Sequence, residues 1–236
     1  MTIKKHAKKH LMQGLKALYN NYEKAFLEFS RANRLNPKLA EVYYQLSFFY
    51  NGEEKIKALS KAIELKPDYV DAYIMRGLEN TCFYKNPKAA LVDFNIAISL
   101  KPKKADIYLL KARAMKELEQ YDKAIINFKK AIYMKVKDQS CLIDLGICYL
   151  LKQDFKSATR CFKKTIFKSN NNQYIGEAYK YLAYISIEKQ EKHIKAINYF
   201  KKSIEFYEKT PFLEAAPYYD LEVIYKYLNE NNELQI

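Results

Sequence analysis

One spacing governs what this chain can become. The segments Ala90–Ile98, Ala124–Ile132 and Ala158–Ile166 nearly superimpose, and Ala90, Ala124 and Ala158 step by 34 residues. Phe94, Phe128 and Phe162 keep the same step, as do Ala97, Ala131 and Thr165. The set extends upstream to Ala25, Phe29 and Ala32, then to Leu59, Ala62 and Ile63, and downstream to Ala196, Phe200, Ser203 and Ile204. Apolar positions three and four apart mark amphipathic helices rather than strands. Self-similarity at this period belongs to stacked supersecondary units, each of which buries its apolar face only against its neighbours.

Each segment is preceded by a second helical pattern in which a large residue leads a small one by four. The pairs are Tyr43/Ser47, Tyr73/Gly77, Tyr108/Ala112, Leu142/Gly146 and Tyr179/Ala183, with Gly14 at the small place of the first unit. Small side chains at this spacing let two antiparallel helices cross closely. A phenylalanine one turn beyond the facing alanine fills the gap, and a buried aromatic of this kind contributes about 2–3 kcal/mol. Between the two helices lies a turn with Tyr22, Tyr84, Tyr121 or Phe155, and Pro37, Pro67 and Pro102 end the second helix of their units. With only 5 Gly and 6 Pro and a hydrophobic content of 49%, the chain has little turn chemistry for strands and enough apolar residues for a sizeable core. The step from Pro37 to Pro67 is four residues short, about one helical turn, which shortens a hairpin without rotating its apolar face. The step from Ala158 to Ala196 is four residues long. It predicts a longer loop at Asn170–Gln173, extra residues in the turn near Lys189–Lys192, and a local change of pitch.

Together these residues resemble the tetratricopeptide repeat, a helix–turn–helix unit of 34 residues; Leu145-Gly146, Tyr149, Phe155, Ala158 and Phe162 match almost position for position. The resemblance implies an all-α, right-handed superhelical solenoid forming a single domain over 1–236. Its units fall at about 6–39, 40–69, 70–104, 105–138, 139–172 and 175–210, and a capping helix at 211–232, opened by Thr210-Pro211, covers the last core. It also implies that the first helix of each unit lines a concave groove for an extended peptide or a helix of a partner protein. By position, Tyr44, Phe48, Ile74, Leu78, Leu109, Arg113, Ile143, Ile147, Lys180 and Tyr184 line it, mostly apolar and suited to an apolar or amphipathic ligand. Some members of the family bind a chaperone's terminal carboxylate through Lys and Asn. The matching places hold Leu11, Leu15, Gln45, Asp71 and Met75, which cannot neutralise a carboxylate, so no such clamp is expected. Glu41, Asp71, Asp106 and Glu177, near the starts of first helices, read as ordinary partners of the helix dipole.

The net charge is +14, yet only five of the 41 basic residues are arginines. Phosphate recognition favours arginine's planar fork, so the charge is weak evidence for nucleic acid. The paired lysines Lys129, Lys130, Lys163, Lys164, Lys201 and Lys202 predict a basic stripe on the convex side; binding of nucleic acid or an acidic protein there is the alternative reading. Lys4 to His10 reads as a frayed basic arm. No run approaches a membrane span or a signal peptide. Cys82, Cys141, Cys148 and Cys161 lack metal-ligand spacing and fit a reduced, cytoplasmic setting. His6 and His10 could share a helix face without a third ligand. With no phosphate-cradling glycine loop and no nucleophile motif, the expectation is a non-enzymatic scaffold or adaptor needing neither cofactor nor metal.

Overall fold

The computed structural model describes residues 2–189 and 193–210, together with Lys226 and Asn229. Among the described residues the chain holds twelve α-helices and no strand, and it divides into two compact units, 1–118 and 119–236. The first unit contains α1 (Thr2–Ala17), α2 (Tyr22–Leu35), α3 (Ala40–Leu46), α4 (Gly52–Leu65), α5 (Val70–Cys82), α6 (Pro87–Leu100) and α7 (Ala105–Glu117). The second contains α8 (Tyr121–Tyr133), α9 (Cys141–Leu151), α10 (Phe155–Lys168), α11 (Asn172–Glu188) and α12 (His193–Glu208). Within each unit every helix packs on the next, and first helices of successive repeats also touch, α5 with α7 and α9 with α11.

Local chemistry sets the helix ends. The side chains of Asn21, Asn86 and Asp154 accept hydrogen bonds from the backbone N–H of Lys24, Ala89 and Ser157, satisfying donors that a helix start leaves open. Because these caps come so early, Tyr22 and Phe155 are the first residues of helices rather than turn residues. Pro37, Pro67 and Pro102 each follow a second helix by two residues, as expected. The 34-residue period reappears in the backbone. Lys85, Glu119 and Gln153, each in the turn between first and second helices, adopt left-handed φ values of 50°, 58° and 59°.

The nesting expected from sequence is present in each unit. A Cβ added at Gly14 would lie 2.5 Å from the Phe29 ring, and one at Gly77 2.6 Å from Phe94. In the second unit a Cβ at Gly146 would lie 2.6 Å from Phe162. These three phenylalanines are buried. In the second repeat Leu59 takes the aromatic's place, and the buried Ser47 satisfies its own hydroxyl by donating to the Tyr44 carbonyl at 2.7 Å.

The four-residue deletion falls on α3, which has seven helical residues and then a 3₁₀ turn, Ser47–Phe49, where α5 has thirteen. The loop expected at Asn170 is a correction, whereas the extra residues expected near Lys189–Lys192 fall largely outside the described residues. No long loop forms at Asn170; the connection after α10 is Ser169–Asn171, and the extra residues lengthen α11 to seventeen. Asn171 acts as a cap, its side chain accepting from the N–H groups of Gln173 and Tyr174, so the helix starts three residues before the unit boundary expected at 175. The longest described connection is instead 134–140, between α8 and α9. The lengthened hairpin gains a second nest, since a Cβ at Gly176 would stand 2.9 Å from the buried Tyr207 ring, and Ser203 Oγ donates to the Gly176 carbonyl at 2.7 Å. Lys4 to His10 is not a frayed arm but part of α1, tied down where His10 Nδ1 meets Glu28 Oε2 at 2.6 Å. Glu28 also accepts from Arg31, and these two basic neighbours, His10 first, hold its carboxyl below the usual range. The capping segment expected at 211–232 lies outside the described residues, apart from Lys226 and Asn229.

Candidate binding surfaces

In the first unit the first-helix positions Tyr44, Phe48, Ile74, Leu78, Leu109 and Arg113 come from α3 with its 3₁₀ turn, α5 and α7. Ile74 and Leu109 are buried, Tyr44, Leu78 and Arg113 are half-buried, and Phe48 is 41% exposed. Ile74 and Leu78 lean on the core around Phe94, so much of the apolar stripe is already spent in packing between repeats. Phe48 is different. Its ring meets Tyr44 edge-on at 5.2 Å, and Tyr44 in turn meets Tyr69 at 5.0 Å. Burial, and then the nearby Asp71 carboxylate, push the Tyr44 phenol up; Tyr69 is pushed up mainly by burial, with Tyr44 next. Both rings therefore stay neutral hydrogen-bond donors. Tyr69, in the connection after Pro67, carries no repeat signature in the sequence, and its part in this cluster is visible only in three dimensions.

The acidic residues beside this cluster are engaged locally. Glu41 pairs with Lys66 at 3.2 Å and Asp71 with Lys104 at 2.9 Å. These pairs are partly exposed and worth no more than about 1 kcal/mol each, but they take up the charge that could have steered a basic ligand. Leu11 and Leu15, at the places a carboxylate clamp would use, pack on the core around Phe29.

In the second unit, Ile143 and Lys180 are buried while Ile147 and Tyr184 are half-buried. Ile143 and Ile147 join the core around Phe162; Tyr184 meets Phe200 edge-on at 5.6 Å. The Lys180 ammonium sits 5.0 Å over the Tyr181 ring, so that side chain is drawn into packing rather than displayed. The paired lysines Lys129, Lys130, Lys163, Lys164, Lys201 and Lys202 all belong to this unit and are exposed. Lys129 lies over Tyr149 at 5.6 Å and Lys202 over Tyr179 at 5.5 Å.

Among the described residues no group of three or more His, Cys, Asp or Glu is placed to hold a metal, and no helix is long and apolar enough to cross a membrane. Cys141, Cys148 and Cys161 are buried free thiols; burial pushes Cys161 up to about 11, so it packs as a neutral group.

Comparison with known proteins matches the repeat directly. Residues 105–136 fit the family model "Tetratricopeptide repeat". Human tetratricopeptide repeat protein 13 is 25% identical over 167 residues, 69% of this chain but only 19% of that protein. This chain carries the tetratricopeptide repeat. It spans about a fifth of the length of that curated relative. Among solved structures, Pseudomonas aeruginosa PilF aligns over 96% of this chain and 100% of its own with a TM-score of 0.72 at 12% identity. YrrB, described as a TPR protein with an unusual peptide-binding site, aligns over 77% of this chain and 93% of its own with a TM-score of 0.63 at 18% identity. At such identities these likenesses establish a shared fold, the helical solenoid of tetratricopeptide repeat proteins.

Proposed function

We propose that this tetratricopeptide repeat protein is a non-enzymatic scaffold that holds a peptide or helix of a partner protein on the faces of its first helices. The observation that carries this reading is the aromatic ledge of the first unit. Phe48 stands 41% exposed on Tyr44, with Tyr69 behind, where a shortened α3 ends in a 3₁₀ turn. An exposed aromatic braced by other rings is the kind of anchor that dominates protein interfaces, because it offers large apolar area at little cost in ordering. Tetratricopeptide repeats bind protein or peptide partners, and a peptide-binding protein such as YrrB shares the fold. The remaining expected positions are half-buried or buried and would shape the edge of the contact rather than drive it. The buried free thiols support a reducing, cytoplasmic setting.

Affinity capture from native extract tests this with the protein beside Phe48→Ser and Tyr44→Ser. The expected result is loss of the captured partner from both variants, unchanged far-ultraviolet helicity, and capture by the parent protein that survives high-salt washing. Equal capture by parent and variants would remove the ledge from the binding surface.

A further inference from the structure

A trough runs through the second unit with α8 and α10 as its walls and α9 as its floor. It consists of two clefts of about 290 and 340 Å³ that adjoin at their shared residues Ile132, Leu142 and Lys164. Six cations edge it: Lys129, Lys135, Lys137, Arg160, Lys164 and Lys168. One acid lines it, Asp138, and its carboxylate already accepts from the N–H and hydroxyl of Ser140 at 2.9 and 2.6 Å. Among the described residues, no ion pair engages Lys135, Lys137, Arg160, Lys164 or Lys168. The floor is the opposite in character. Leu142, Leu145 and Tyr149 present apolar surface from α9, and Cys161 beside them is a neutral thiol.

We propose that this trough docks an acidic, amphipathic segment of a partner protein, with its carboxylates on the cationic rim and its apolar side chains on the floor. Two features select this ligand. The rim sets six cations against one lining carboxylate, with Asp154 acting on Arg160 from nearby, and the excess of positive charge that remains calls for an anionic partner. Each cleft also has room for one or more large apolar side chains, and a bare polyanion would leave that floor wet. A nucleic acid matches only the first feature, and five of the six rim cations are lysines without the planar fork that grips phosphate. The trough belongs to the second unit and the Phe48 ledge to the first.

Fluorescence anisotropy decides the matter with three labelled probes of equal net charge. They are an acidic peptide with Leu or Phe every third or fourth residue, the same peptide with Ser at those positions, and a single-stranded oligodeoxynucleotide. The first probe should bind tightest and weaken as salt rises. Its affinity should fall on the order of tenfold for Lys164→Glu/Lys168→Glu. Lys57→Glu/Lys61→Glu in the first unit imposes the same change of net charge and should leave binding within about twofold. Phe48→Ser should leave it unchanged. Lys57, Lys164 and Lys168 are exposed and Lys61 is half-buried with its ammonium on Glu64, and far-ultraviolet helicity confirms that the variants fold. The proposal is overturned if the Ser-substituted peptide or the oligonucleotide binds as tightly as the first probe. It is equally overturned if the two lysine pairs weaken binding alike, or if no probe binds.

Discussion

Gly77→Ala puts the nesting of paired helices to a direct test. On α5 the new methyl would lie 2.6, 2.9 and 3.0 Å from Cε1, Cζ and Cδ1 of Phe94. Carbon atoms in good contact sit about 3.5–4.0 Å apart, so ring and methyl must separate by about 1 Å. Phe94 is 1% exposed and packed among Val70, Tyr73, Ile74 and Ala97, so the ring cannot swing away; the helices must part. Overpacking of this kind costs about 1–3 kcal/mol, whereas alanine in a helix is favoured over glycine by about 1 kcal/mol. The balance is a loss of up to about 2 kcal/mol. Phe94→Leu alone should cost about 1–2 kcal/mol by leaving space. In the double variant the methyl occupies that space, so the combined loss should fall short of the sum by at least about 1 kcal/mol. Urea unfolding followed by circular dichroism at 222 nm measures all four corners of the cycle. If Gly77→Ala stabilises the protein by about 1 kcal/mol, the value for helix propensity alone, the contact is not limiting and the reasoning fails; strict additivity would refute it as well.

Two further sites probe a buried ion pair that the repeat pattern does not contain and a backbone angle that recurs with it. Asp93 on α6 is buried and accepts a bidentate pair of hydrogen bonds from Arg76 on α5, at 3.0 and 2.7 Å, while Arg76 also donates to Ser60 on α4 at 2.9 Å. Asp93→Ala leaves a half-buried guanidinium without its carboxylate and should cost about 2–3 kcal/mol in the same urea assay, with Arg76→Met/Asp93→Leu recovering part of the loss. Gln153 holds a left-handed φ of 59° in the turn before α10. Gln153→Gly should raise the melting temperature slightly, by up to about 1 kcal/mol of stability, and Gln153→Val should lower it by a similar amount. Equal effects of glycine and valine would show that the backbone angle carries no strain.

The array of helical hairpins was legible because its determinants are local and periodic. A glycine and a phenylalanine at fixed separation, as at Gly146 and Phe162, specify one packing geometry, and a proline such as Pro67 stops a helix wherever it stands. Asn170 and Asn171 misled because asparagine serves loops and helix caps alike; only the bonds from Gln173 and Tyr174 show that Asn171 starts a helix. The pair of Arg76 and Asp93 was hidden because it joins two helices seventeen positions apart in the sequence and occurs in one repeat alone. For the expected groove, sequence gave position without exposure. Ile74, Leu109 and Ile143 lie on first helices as expected, yet packing buries them and leaves Phe48 to face outward. The basic trough was only half visible, since Lys129 and Lys164 were evident as members of lysine pairs but the floor beneath them comes from a different helix.

The lengthened hairpin of α11 and α12 bears on how the chain acquires its structure. With helices of seventeen and sixteen residues, and with Gly176 against Tyr207 added to Ala183 beside Phe200, it gathers more close-range contact than a standard repeat. In an array whose stability is a sum of neighbour terms, ordering begins where local association is strongest and spreads outward. The four residues inserted there make this hairpin the natural seed from which its own unit zips up.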